Sequence, residues 1–350
     1  PEAFEFLFQE FTKSFTDNVT YNGLRLIACD GSDLCIAHNP QDETTYFQTL
    51  PDRKGYNLLH LNAFYDLCSR QYTDAIIQPS RLANERRAMC EMIDRYNDTS
   101  AIFIADRGYE NYNIFAHVEH KGMYYLIRVK DITSNGITSK LTMLPESGEF
   151  DEWVNVTLTK KQTNEVKANP KKYRVIDKKT PFDYLDLHFN NFYEMKMRVI
   201  RFPIPQGSYE CIITNLPQDK FNSDEIKRLY AKRWGIETSF RNLKYIIGML
   251  GFHSRKSDSV MQEIYASLIM YNMTQFISNC VQLHAKENKY DYTIRFSVAA
   301  TIVKSLFLGD ISPPNAEILI RRNVSPVRPN RSYSRKPRAK AQIQFTYRIA

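Results

Sequence analysis

The chain has 350 residues, of which 43% are hydrophobic and 25% charged, the balance of an ordinary globular chain long enough for two domains or one domain with a large insertion. No apolar run approaches the ~18 residues of a membrane span, and Glu2, Glu5 and Glu10 interrupt the opening PEAFEFLFQEFTKSF, so neither a membrane segment nor a signal peptide is expected. A formal net charge of +8 points to a polyanionic partner rather than an acidic or lipid-embedded role.

The first residue is a proline, so the numbering is expected to begin inside a longer chain, with residues 1–21 the remnant of an upstream region. YNGLRLIACDGSDLCIAHNP predicts a strand from Leu24 to Asp30, a turn at Gly31 and Ser32, and a second strand resuming at Leu34. GYNLLHLNAFYDLCSRQYTDAIIQP adds two β-rich pieces around a polar break at Ser69 to Gln71, which suggests a three-stranded antiparallel meander. In NERRAMCEMIDRYNDT, Asn84 is a candidate helix cap, and Ala88, Met89, Met92 and Ile93 recur at helical spacing. Ile102 to Ala105 form a short apolar strand of the kind buried on both faces, ending on Asp106. A helix from about Asn111 to His120 and the strand MYYLIRV complete a β-α-β unit.

From about Lys130 to Asn222, segments such as EWVNVTLT, KYRVIDK and YECIITN are separated by Asn-, Gly-, Pro- and Lys-rich turns, the pattern of a β-rich insertion. Helical periodicity resumes at Ser223, a candidate cap for a helix with Asp224 and Glu225 in its first turn. SVMQEIYASLIMYNMTQFISNCVQLHA is a long helix, apolar nearly all round and therefore expected to be buried. The six cysteines show no Cys-x2-Cys spacing and are expected to be reduced. His117 and His120 lie one turn apart without a metal-binding context and read as surface residues. Positive charge gathers in two places: TKKQTNEVKANPKKYRVIDKKT, and RRNVSPVRPNRSYSRKPRAK, whose prolines suggest an extended basic tail. Two such clusters fit a nucleic-acid partner held by counterion release.

In YAKRWGIETSFRNLK, a helix advancing ~100° per residue would place Tyr230, Arg233, Glu237 and Lys244 on one face within roughly 60°. Glu237 then either pairs with Arg233 or Arg241 at i±4, or belongs to a polar stripe facing a ligand. Asp30 and Asp106, each closing an apolar strand, favour the second reading, because strand ends border ligand crevices in open α/β sheets. Three carboxylates from two strands and a helix suit a pair of Mg²⁺ ions and phosphodiester cleavage or transfer.

With Tyr230, Arg233, Glu237 and Lys244 in the spacing Y-x2-R-x3-E-x6-K, after DGS at Asp30 and DRGY at Asp106, the chain resembles bacterial DDE transposases of the insertion-sequence-four family. The resemblance covers about Leu24 to Ser254. It implies an α/β fold: a ribonuclease-H-like core, residues 22–130 and 223–320, with the β-rich insertion 131–222 between the second aspartate strand and the glutamate helix, and a basic tail 321–350. By the same resemblance Asp30, Asp106 and Glu237 are the catalytic residues and bind two Mg²⁺ ions, with Mn²⁺ as a substitute. Tyr230, Arg233, Lys244 and Arg241 contact DNA, and Tyr209 stands near the position of the family's base-stacking tryptophan. The implied activity is cleavage at transposon ends through hairpins and joining of 3′-hydroxyls to target DNA. The implied partner is double-stranded DNA, bound by a homodimer in a synaptic complex in the bacterial cytoplasm at the nucleoid. Two alternatives stand beside it: an amino-truncated, inhibitory DNA-binding derivative, and a ribonuclease-H-like nuclease or resolvase.

Overall fold

A computed structural model describes the chain except for residues 16–17, 53, 99, 186–190, 205–206, 282–290, 328–345 and 348–350, so most of the proposed basic tail lies outside the described residues. The fold is mixed α/β and divides into two compact units: residues 1–19, 31–83 and 236–350, and residues 20–30 and 84–235. Strand β1, Arg25–Ile36, runs from the second into the first.

The first unit contains β2 (Tyr46–Phe47), β3 (Tyr56–Asp66) and β4 (Gln71–Pro79). Strands β2 and β1 flank β3, and β4 pairs with β3 antiparallel as a hairpin. Helix α1 (Glu2–Ser14) and the long Ser257–Cys280 helix join this unit, with Phe8 and Tyr265 in ring contact. Asn272 of the long helix takes the amide of Tyr72 at 2.8 Å and donates to its carbonyl at 2.7 Å. A side-chain amide thus completes the hydrogen bonding of a buried strand residue. The long helix is buried along part of its circumference only, through Val260, Ile264, Leu268 and Tyr271 among others.

In the second unit the strand order is β1, β5 (Ala101–Ala105), β6 (Tyr124–Val129), β10 (Tyr209–Thr214), β9 (Tyr193–Pro203), β7 (Phe150–Thr159) and β8 (Tyr173–Val175). The β1–β5 and β5–β6 pairs are parallel, whereas β10 joins β6 antiparallel. Helix α2 (Glu85–Arg95) begins where expected, because the Asn84 side chain accepts from the Arg87 amide at 3.1 Å. Helix α3 (Tyr112–His120) crosses between β5 and β6 and stacks Phe115 on Tyr125, centroids 4.8 Å apart. Strand β5 is buried at every residue, as its unbroken apolar run requires.

Several expectations need correction. Gly31 and Ser32 do not turn: β1 continues through them, with burial resuming at Leu34 and Ile36, so Asp30 stands mid-strand. The stretch from Ser223 is not one helix. Helix α5 (Ser223–Ala231) stops, tight i→i+3 bonds follow (Arg233 N to Tyr230 O, 3.0 Å; Gly235 N to Lys232 O, 2.9 Å), and α6 (Trp234–Asn242) begins. Gly235 lowers the cost of this break, since glycine is a weak helix former. A π-helical turn, Leu243–Ile247, then ends at Gly248, whose φ of 106° suits a residue without a side chain. The 100° wheel therefore does not carry through from Tyr230 to Lys244. The cap of α5 is Asn222, accepting from the Glu225 amide at 2.9 Å, while Ser223 donates its hydroxyl to Asp151 at 2.7 Å. His117 is buried rather than on the surface, its ring nitrogens 2.6 Å from Asp94 and 2.9 Å from Asp183.

Candidate active site

Pairing in the β1–β5 ladder runs from Arg25 opposite Ala101 to Cys29 opposite Ala105. Asp30 and Asp106 are the next residues on these two parallel strands, and neighbouring strands lie ~4.8 Å apart. The register thus carries both aspartates just past the paired stretch, Asp30 within β1 and Asp106 directly after β5, each half-exposed. Asp106 is also the cap of a short 3₁₀ turn, Arg107–Tyr109, accepting from the Gly108 amide at 2.8 Å. That bond holds one carboxylate oxygen in place.

Arg233, buried at 8% exposure, brings a guanidinium nitrogen 3.7 Å from the Asp30 carboxylate. Its guanidinium carbon also lies 5.9 Å from the Tyr230 ring centroid and 5.7 Å from that of Trp234. Burial raises the Tyr230 hydroxyl pKa, against the lowering by Arg233 and Arg128. Arg233 therefore lies against both the first aspartate and the Tyr230 ring.

Sequence reasoning missed one carboxylate here. Glu85, the first residue of α2, lies close enough to Gly108 that a Cβ there would be 3.9 Å from its Oε2 and 3.0 Å from Asp106 Oδ1. The buried Cys29 thiol feels the charges of Asp30, Glu85 and Asp106: desolvation raises its pKa most, these carboxylates add to it, and Tyr109 opposes. The available signal was Glu85's place directly after the Asn84 cap, where an acidic residue also suits the helix dipole.

Glu237 is half-buried in the first turn of α6. That helix is anchored in the first unit by Ile236, Ser239 and Phe240, with the Ser239 hydroxyl 2.7 Å from that of Tyr72. Lys244, in the π turn, donates to the Asp33 carbonyl at 2.9 Å, and burial lowers its pKa against the opposing charge of Asp33. Arg241 is exposed. Tyr209 opens β10 with the Arg201 guanidinium carbon 3.6 Å from its ring centroid, so one ring face is already covered.

Asp30 and Asp106 offer only oxygen donors, which suits a hard divalent cation. Among the described residues no three His, Cys, Asp or Glu side chains gather closely enough to hold an ion. No helix among them is long and apolar enough to cross a membrane.

The fold is thus α/β with two aspartates side by side at adjacent parallel strands and an arginine 3.7 Å from the first of them. The model of the transposase DDE domain matches residues 21–273, and the chain belongs to that family. No individual curated protein matches it. Among solved structures, a piggyBac transposase synaptic complex with hairpin DNA is similar at a TM-score of 0.48 and 9% identity, over 85% of this chain and 53% of that one. The chain thus spans about half the length of that transposase.

Proposed function

We propose that this chain is the catalytic core of a cut-and-paste DNA transposase of the insertion-sequence-four branch, with a ribonuclease-H-like core interrupted by the insertion 131–222. The observation that carries the proposal is the Cys29–Ala105 register, which sets Asp30 and Asp106 side by side. Glu237 is assigned as the third ligand by the signature spacing. In this reading Asp30, Asp106 and Glu237 would hold two Mg²⁺ ions, or Mn²⁺ in their place, which would supply activation of the attacking oxygen and stabilisation of the leaving one.

The protein's own residues orient the DNA. Arg233 sets its positive charge against Asp30, the first of the two adjacent carboxylates. Tyr230 and Lys244 are assigned to the cleaved DNA end by the same signature, Arg241 is a further candidate contact, and Tyr209 is the candidate stacking ring for a flipped base. Hairpinned ends, a homodimeric synapse and work at the bacterial nucleoid belong to the same reading.

The test is Mg²⁺-dependent nicking and joining of a labelled duplex carrying the element's own end. Glu237→Gln and Asp106→Asn should each lower cleavage by more than the ~10 to 100-fold that follows loss of a group merely supporting a ligand. Cleavage surviving in Glu237→Gln would remove that residue from the metal set. Binding without cleavage by the wild type would favour the inhibitory derivative, and cleavage without joining the nuclease.

A further inference from the structure

The turn after Asp106 borders a second concave site. Arg107 lines a cavity of about 280 Å³ together with Arg86, Lys130, Lys140, Arg174 and Tyr112. Five cations thus face one small volume, against two carboxylates, Glu110 and Asp177. Glu110 is structurally committed, because its two oxygens accept from the backbone amides of Lys130, at 2.9 Å, and Ile137. This fixes the loop bearing Lys130 and Lys140. Gly136 permits the approach: a Cβ there would be 2.6 Å from Glu110 Oε1 and 2.8 Å from the Lys130 Cβ.

Two further features mark the cavity as an anion site. The Arg174 guanidinium lies against the buried Tyr112 hydroxyl at the cavity wall, and its Nε has no hydrogen-bond partner among the described residues, so that nitrogen has no carboxylate bond to offset its charge. Asn111 and Tyr112, the cap and first residue of α3, line the wall, so the positive end of a helix adds to the charge. Arg86 donates to the Gly108 carbonyl at 2.8 Å, and the Gly108 amide in turn donates to Asp106. The cavity and the catalytic aspartate therefore share one turn.

We propose that this cavity seats a backbone phosphate of the DNA strand, next along from the phosphodiester presented to Asp106. The assignment rests on the transposase reading above. A polymer is favoured over a free anion because Arg174 and the other lining residues Val175, Ile176, Asp177 and Thr180 belong to the basic stretch 159–180. All of its lysines but the half-buried Lys160 are exposed, a charge density suited to a run of phosphates rather than to one.

The experiment measures duplex binding by fluorescence anisotropy from 50 to 300 mM NaCl for the wild type, Arg174→Gln, Lys140→Gln and the double variant, with melting curves for each. Loss of one neutralised phosphate should make the slope of log K against log salt less negative by about 0.9 in the double variant. An unchanged slope in a double variant that melts like the wild type would overturn the assignment. Lys140 is exposed, so its single variant reports even if Arg174→Gln folds poorly. A free-anion site would instead show as wild-type stabilisation by inorganic phosphate, absent in the double variant, with no change in DNA slope, and would also overturn it. Wild-type protein that binds steeply with salt but never nicks DNA with Mg²⁺, while the variants flatten the slope, would sink the catalytic reading and support the cavity.

Discussion

Arg198 is fully buried in β9, and its replacement by methionine tests how the insertion holds α5 in place. Its guanidinium makes two 2.6 Å bonds to Asp151 and one of 2.6 Å to the Phe221 carbonyl, directly ahead of the Asn222 cap. Asp151 also accepts from Ser223, so one carboxylate ties β7, β9 and the start of α5 together. Desolvation raises the Asp151 pKa, yet the bonds from Arg198 and Ser223 outweigh it and leave the carboxyl below its usual range. Removing one partner of a buried pair costs about 3 to 5 kcal/mol. The Asp151 side chain is 19% exposed and keeps its Ser223 bond, so the lower end of that range, about 3 kcal/mol, applies. At ~2 to 4 °C per kcal/mol this is a fall in Tm of roughly 6 to 12 °C, read by calorimetry. A cycle with Asp151→Asn should give a coupling of about 1 to 3 kcal/mol. A Tm within about 2 °C of the wild type, or a coupling below about 0.5 kcal/mol, would refute the account of Arg198 as the clamp.

Three other outcomes are expected. The Asn113 bond lowers the Asp183 pKa most, against desolvation, and His117 adds to the lowering. This contribution to stability is present above the unfolded-state pKa of ~3.9 and lost as pH falls through the depressed folded value. The stability gap between wild type and Asp183→Asn should therefore be flat from pH 8 to 5 and close below about pH 4; a gap growing toward low pH would contradict it. Asn84→Ala should cost about 1 kcal/mol through loss of the α2 cap, measured by urea unfolding, and a neutral result would show the cap to be redundant. Tyr209→Ala should weaken hairpin formation, base stacking being worth ~1 to 3 kcal/mol, and intact hairpins would remove Tyr209 from the site.

The sequence by itself determined those features whose causes are local. The apolar run of β5, the Asn84 cap and helical spacing of α2, and the β-α-β unit ending in β6 follow from periodicity and capping over a few residues. The motif order around Asp30, Asp106 and Glu237 also pointed to a branch of the DDE transposases, the broader family that the domain model matches. Tertiary structure decided what depends on partners far along the chain. Strand β1 runs through Gly31 and Ser32 with β3 and β5 as its sheet neighbours, where a tight turn was the local expectation. Strand β9 was not singled out, although YEMKMRVIRFP mixes buried and charged residues, because its Arg198 and Arg201 become buried only through Asp151 and Asp131. Ser223 and His117 were misread for the same reason: their partners Asp151, Asp94 and Asp183 come from segments 23 to 72 residues away. The break between α5 and α6 has a local element in Gly235, yet the anchoring of α6 by Tyr72 and Ser239 is a contact 167 residues apart in sequence. Glu85 beside Asp106 is likewise set by packing of α2 over the strand end, which no periodicity encodes. Local patterns fix the elements and some of their caps, whereas register and buried charge pairing, which are non-local, fix which side chains meet.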